Sequence, residues 1–282
     1  MAHLGIDIGT SAVKLCVTDD GGNVVATADA PLTSQHPFPG ASEQDPDAWI
    51  VALQVAARAL PADLRHSIEV IGLSGQMHGA VLLDSDNKPI RPAILWNDGR
   101  ATQECADMAA QVPDIGHITG VPPMPGFTAP KLLWMQRHEP EAHGKIASIL
   151  LPKDYVRFRL TGDFATEVSD ASGTLLLDVV KRKWSKPLLS KLDLDAGLFP
   201  QMYESEDVTG GLSASAAKAL GLNAGTPVVG GAGDQAAGAI GNGIVRKGVV
   251  SATMGTSGVV FAHSDEVQVD PEGRLHTFCH AV

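Results

Sequence analysis

The strongest constraint on this chain is an internal echo. Ile6–Asp7–Ile8–Gly9–Thr10–Ser11–Ala12–Val13 sets Gly-Thr-Ser between two apolar, β-rich runs, and Thr253–Met254–Gly255–Thr256–Ser257–Gly258–Val259–Val260 repeats the layout near the other end. A shared tripeptide means little by itself. Its position matters, because at the tip of a strand pair the backbone N–H groups and hydroxyls can converge on one anion. Two such tips facing each other would clamp a polyphosphate. The arrangement needs two lobes, so the repeat predicts a first domain over 1–246 and the start of a second over 247–282, with the chain stopping inside that second domain.

The elements between the copies fit an α/β class. Leu4–Ile8, Val13–Thr18 and Val24–Ala28 read as three antiparallel strands, reversed at Asp19–Gly22. Asp45–Pro46–Asp47 starts a helix whose apolar positions, Trp49, Ile50, Leu53, Ala56, Ala57 and Leu60, recur at helical spacing until Pro61. Ile68–Leu73 is a buried strand entering the turn Ser74–Gly79, and Ala80–Asp84 returns as another strand, so a βαβ unit is embedded here. Helices are expected over 100–112, 129–138, 152–160 and 213–220, the last stopped by Gly221. Gly120–Gly126, with prolines at 122, 123 and 125, is a structured loop. A strand at 226–229, the Gly-rich stretch 230–243 and a strand pair around Met254–Ser257 complete the reading.

Composition removes several classes of function. With 32 acidic against 21 basic residues and a net charge of −11, the chain lacks the basic excess that a nucleic-acid partner demands. A hydrophobic share of 44% argues against disorder. The longest stretch without Asp, Glu, Lys or Arg, 248–264, is too short and too polar to span a bilayer, so no membrane partner is expected. No basic cluster precedes an apolar core at the N-terminus, which leaves the cytoplasm as the default compartment. Cys16, Cys105 and Cys279 are isolated from one another and read as buried thiols. The ten histidines show no zinc-binding spacing, and neither a Walker A sequence nor a GxSxG elbow is present.

Five places in the chain could carry chemistry. Asp7 ends an apolar strand just before a glycine turn, where a carboxylate needs either a cation or turn N–H groups to offset its burial. Lys14 on the return strand either approaches a phosphate as a point charge or is an ordinary solvated lysine. Asp234, within Gly230–Gly231–Ala232–Gly233–Asp234–Gln235–Ala236–Ala237–Gly238, could accept a proton from an attacking alcohol, or cap a helix starting at Gln235. His78 lies in a turn with Met77, and the glycines at 75 and 79 imply unusual backbone angles. Its imidazole would suit a sugar hydroxyl and would serve a turn equally well. Trp96–Arg100 either lines a pocket or is a turn held by its Asn and Asp side chains.

Taken together, these segments resemble the FGGY family of carbohydrate kinases over the whole chain. The resemblance rests on Gly5–Ser11, Gly75–Gly79, Pro92–Arg100, Gly126–Trp134, Pro152–Tyr155 and Gly233–Gly238. It implies the actin-like ATPase (ribonuclease H-like) sugar-kinase fold, a mixed sheet flanked by helices with its second domain truncated, and it implies ATP and Mg²⁺. By similarity Asp234 is the catalytic base, and Asp7 organises Mg²⁺ and the phosphates. Gly9, Thr10, Ser11 and Lys14 would contact phosphate from one side, and Gly255, Thr256 and Ser257 from the other. Met77, His78 and Gln235 bind the sugar, and the uncharged Met–His pair implies D-xylulose as the acceptor. The alternatives are ribulose, gluconate or glycerol, or a non-catalytic sugar-binding lobe. The implied partners are a small sugar and a nucleotide, and a homodimer is compatible with the resemblance. Since the second domain supplies most of the ATP site, the chain alone is expected to bind the sugar weakly and to turn over little ATP.

Overall fold

Alternation of apolar and small or polar residues builds the central sheet. The computed structural model describes residues 1–254 and 258–282. β1 (Ala2–Ile8), β2 (Ala12–Asp19) and β3 (Val24–Pro31) form the expected antiparallel meander. Leu4, Ile6 and Ile8 of β1, with Val13, Leu15 and Val17 of β2, are buried on one face. Gly5, Asp7, Lys14 and Cys16 therefore fall on the other, as the two-residue period of a strand requires. Cys16 is only half-buried there; Cys105 and Cys279 are buried as expected, and all three thiols are free.

α1 (Pro46–Ala59) begins where the sequence signals it. Asp45 caps the helix by accepting from the Asp47 N–H, and Pro46 occupies the first turn. Trp49, Leu53, Ala56 and Ala57 are buried in the core that this helix shares with the sheet. Each of the two larger side chains contributes about 1.5–3 kcal/mol. β4 (Ile68–Gly75) then runs parallel to β1. β3, α1 and β4 thus form the βαβ unit, with β2 and β1 between its two strands.

The strand expected after the Ser74–Gly79 turn is present. Val81–Leu83 leaves the sheet and pairs antiparallel with Ser148–Leu150. His78, at a positive φ of 68°, turns the backbone out of β4's direction. Leu82 then joins a second core with Ile94, Met108, Phe127 and Leu132. The expected helices appear at Thr102–Gln111, α2 (Thr128–His138), α3 (Pro152–Thr161) and Ala214–Leu220. Residues 120–126 carry neither helix nor strand.

β5 (Val208–Gly211), β6 (Pro227–Val229) and β7 (Ala232–Gly233) complete a seven-stranded sheet of order β5-β6-β4-β1-β2-β3, with β7 also on β4. α4 (Asp234–Gly241) follows β7 without a gap. Val250–Met254 and Gly258–Ala262 pair antiparallel, as the second copy of the echo predicts. Its tip, Gly255, Thr256 and Ser257, lies outside the described residues. The last residues return to the first domain: the Thr277 N–H donates to Gly120 O at 2.9 Å, and the Cys279 N–H to Ser172 Oγ at 3.0 Å. Among the described residues, no helix is long and apolar enough to cross a membrane.

Candidate functional site

β1, β4 and β7 run parallel, so their carboxyl ends open on one side of the sheet, the side where open α/β sheets bind ligands. Asp7, Ser74 and Ala232 lie in one row across these strands, and Ile8, Gly75 and Gly233 in the next. With adjacent strands ~4.8 Å apart, the backbones of Asp7 and Ala232 are about 10 Å from each other. The Gly9–Ser11 tip, the Gln76–His78 loop and Asp234 all leave from this end.

Asp7 sits on the sheet face away from the core. Burial raises its carboxyl above the ordinary value of 3.8, against the opposing pull of the Ser74 hydroxyl and the Lys14 ammonium. Lys14 is exposed and directly opposite Asp7 in the β1–β2 register. The same face bounds an open cleft of about 590 Å³, lined by Asp7, Lys14, Cys16, Ser74 and Ala237 among others.

At the β1–β2 tip, the Gly9 N–H closes the turn on Ala12 O at 3.0 Å. The Thr10 hydroxyl is engaged within the protein: it donates to Gln76 Oε1 at 3.1 Å and accepts from Trp96 Nε1 at 3.0 Å. Gln44 Nε2 donates to the Thr10 carbonyl at 2.6 Å. These bonds hold the tip against the Gln76–His78 loop. Ser11 is exposed, and the N–H groups of Thr10 and Ser11 meet no acceptor among the described residues. The tip therefore offers backbone donors more than the Thr10 hydroxyl. The 96–100 segment is a turn held by its Asp side chain: Asp98 accepts from the Arg100 N–H at 2.9 Å and the Ser42 N–H at 2.7 Å, and Trp96 reaches the tip.

Asp234 opens α4 as its first helical residue, with Gly233 in the cap position. The capping role read from the sequence thus passes to a residue without a side chain, and the carboxylate is left at the mouth of the helix. Its pKa is pushed up to about 6, first by burial and then by the negative field of Asp7. Gln235 is exposed, and its amide donates to Asp234 Oδ1 at 3.5 Å.

Met77 and His78 come to the same place. A Cβ on Gly233 would lie 2.9 Å from the Met77 sulfur, so the thioether rests on the residue just before Asp234. His78 Nδ1 donates to Gly173 O at 2.7 Å. This bond places the proton on Nδ1 and leaves Nε2 as an acceptor, an assignment made from the hydrogen bond itself. Burial lowers the imidazole pKa to about 4, so the ring is neutral near pH 7. Gly173 must stay bare, because a Cβ there would be 2.4 Å from His78 Nδ1. The positive φ of His78 costs about 1–2 kcal/mol, which its neighbours must offset.

Sequence reasoning missed the residues that pack around His78 from elsewhere in the chain. Phe127 packs against His78 with ring centroids 4.2 Å apart and the rings tilted by 50°, and Phe278 and His276 complete an aromatic cluster. Phe127 lies within the Gly126–Trp134 motif, which assigns it no role, and nothing local marks Gly173, His276 or Phe278.

Known proteins resemble this chain in sequence and fold. The description "FGGY family of carbohydrate kinases, N-terminal domain" matches residues 2–241. The chain belongs to this family, and its mixed sheet flanked by helices is the actin-like ATPase fold of those sugar kinases. It is 50% identical to the xylulose kinase of Escherichia coli (strain K12) over 99% of its own length and 58% of that protein's. Among solved structures it is similar to a xyloylose kinase from Brucella ovis, with a TM-score of 0.97 and 46% identity, covering 100% of this chain and 59% of that one. A gluconate kinase from Lactobacillus acidophilus also superposes, with a TM-score of 0.92 and 27% identity, covering 96% and 56%. The chain thus spans less than two thirds of these relatives.

Proposed function

We propose that this chain is the sugar-binding lobe, residues 1–246, and the first part of the nucleotide lobe, residues 247–282, of an enzyme that phosphorylates D-xylulose with ATP in the cytoplasm. The observation that carries the reading is the contact of Met77 with Gly233, which sets the Met–His loop against a carboxylate whose pKa lies near 6. Such a group is mostly ionised at neutral pH, yet basic enough to take a proton in a transition state. In the proposed reaction the sugar hydroxyl attacks the γ-phosphorus in line. Asp234 takes the hydroxyl proton as the new O–P bond forms, and the bond from phosphorus to the bridging oxygen of ADP breaks. Met77 and His78 hold the sugar, the latter through Nε2 as acceptor, with Gln235 at the rim. Gly9, Thr10 and Ser11 meet the phosphates through the β1–β2 tip, Lys14 adds positive charge, and Gly255, Thr256 and Ser257 would meet them from the other lobe.

Asp7 fits a magnesium ion held chiefly by phosphate oxygens and water. The described residues hold no group of three His, Cys, Asp or Glu suited to a metal, and Mg²⁺ commonly makes do with one carboxylate beside phosphates. Bound there, the ion would neutralise charge on the transferring phosphoryl group. The xylulose assignment draws on the 50% identical relative, whereas the gluconate kinase shows that the architecture alone does not choose the sugar. The test is ADP release by the whole protein with D-xylulose, D-ribulose, gluconate and glycerol. The highest kcat/KM is expected for D-xylulose; a higher value for another acceptor rejects the sugar assignment, and no sugar-dependent ADP release rejects the kinase.

A further inference from the structure

Lys131 is completely buried, yet it has no carboxylate within ion-pair distance among the described residues. Among the described residues its one hydrogen bond is a donation from Nζ to the His78 carbonyl at 2.8 Å. An ammonium in such a place forfeits hydration that one carbonyl does not restore, and an apolar side chain of similar length would fill the space at less cost. The nearest charged influences are Asp98, which favours the charged form, and Arg100, which opposes it; burial outweighs both and lowers the Lys131 pKa to about 7. The role of this lysine therefore has to be sought in the carbonyl it meets.

That carbonyl belongs to the residue whose φ is 68°. Thr128 Oγ1 donates to the same oxygen at 3.1 Å. Thr128 and Lys131 are three apart in the first turn of α2, so they share a helix face. Phe127, immediately before the helix, covers the His78 ring. One helix start thus grips both the backbone and the imidazole, while Gly173 O fixes the tautomer from the far side.

We propose that Lys131 is a positioning residue: with Thr128 it grips the His78 carbonyl, holds this residue in its left-handed conformation, and keeps the ring oriented to receive the acceptor sugar, which Lys131 itself does not touch. The sugar part rests on the function proposed above; the grip on His78 does not.

The experiment labels the histidine rings of the 282-residue chain with ¹⁵N and compares wild type, Lys131→Met and Thr128→Val, with folding followed by circular dichroism. Wild-type His78 should show a single neutral Nδ1–H tautomer between pH 5 and 8. In Lys131→Met the ring should leave Gly173, mix tautomers and titrate near the ordinary 6.5. D-xylulose affinity by calorimetry should fall by about tenfold, the scale of losing a bond to a charged group, and by roughly threefold in Thr128→Val. In the whole protein the Lys131→Met loss should appear in KM with kcat nearly unchanged, and Lys131→Gln, a neutral donor, should recover part of it. If Lys131→Met does not fold, Thr128→Val decides through the same spectrum. An unchanged His78 tautomer and titration in a folded variant overturn the proposal. A changed tautomer in a chain that binds no ketose upholds the grip and refutes the sugar reading instead.

Discussion

Replacing Asp234 by asparagine should make the chain more stable while removing its proposed base. Burial and the field of Asp7 raise this carboxyl from 3.8 to about 6, so ionising it in the folded state costs about 3 kcal/mol relative to the unfolded chain. Solvent still reaches part of the side chain and screens Asp7, which brings the expected gain for Asp234→Asn to about 2 kcal/mol at neutral pH. The sign is definite, because the folded state holds this proton more tightly than the unfolded state. The penalty is absent below the unfolded value, grows through the interval up to about 6 and is constant above it. Urea denaturation of both proteins should therefore show a stability difference that roughly doubles between pH 5 and pH 8 and then levels off. A variant equal to or less stable than wild type at pH 8 would mean that Asp234 is a satisfied structural carboxylate, and the argument for a poised base would fall. In the whole protein the same substitution should lower kcat by at least ~10²-fold with sugar affinity kept within severalfold.

Further outcomes can be checked independently. We predict that Asp7→Asn lowers the Asp234 pKa by removing the negative field on it, read by ¹³C titration of the labelled carboxyl; no change would separate the two groups electrostatically. His78→Ala in the whole protein should raise sugar KM more than it lowers kcat, since it removes contacts made already in the ground state; an equal loss in both would move His78 into the chemical step. Gly173→Ala should cost about 1–3 kcal/mol in a thermal melt, because its new Cβ would meet the His78 ring. An unchanged melting temperature would contradict the close approach of residues 78 and 173.

The strands and helices that carry their own pattern were legible before any coordinates. β1, β2 and α1 announce themselves by period and by the Asp45–Pro46 start, and the structure follows them within a few residues. The segment at 80–84 is a strand, as its apolar run announced, but strand propensity says nothing about which partner a strand will find. After the left-handed His78 it pairs with Ser148–Leu150. Asp234 shows the same limit on a smaller scale. Its sequence context allowed a cap or a base, and a shift of one residue in the helix start released the carboxylate from capping.

What this sequence determined alone was the list of local events: where chains turn, which faces are apolar, and which polar residues stand beside glycines. Local steric and solvation preferences act over a few residues, and the motifs at Gly5–Ser11, Gly75–Gly79 and Gly233–Gly238 are written at that range. Only the tertiary structure decided that Met77 would rest on Gly233, that Gly173 would set the His78 tautomer, and that a buried lysine from α2 would hold the same residue from behind. Those contacts join residues tens of positions apart, and their energies depend on burial and on neighbouring charge, neither of which exists until the chain has closed on itself.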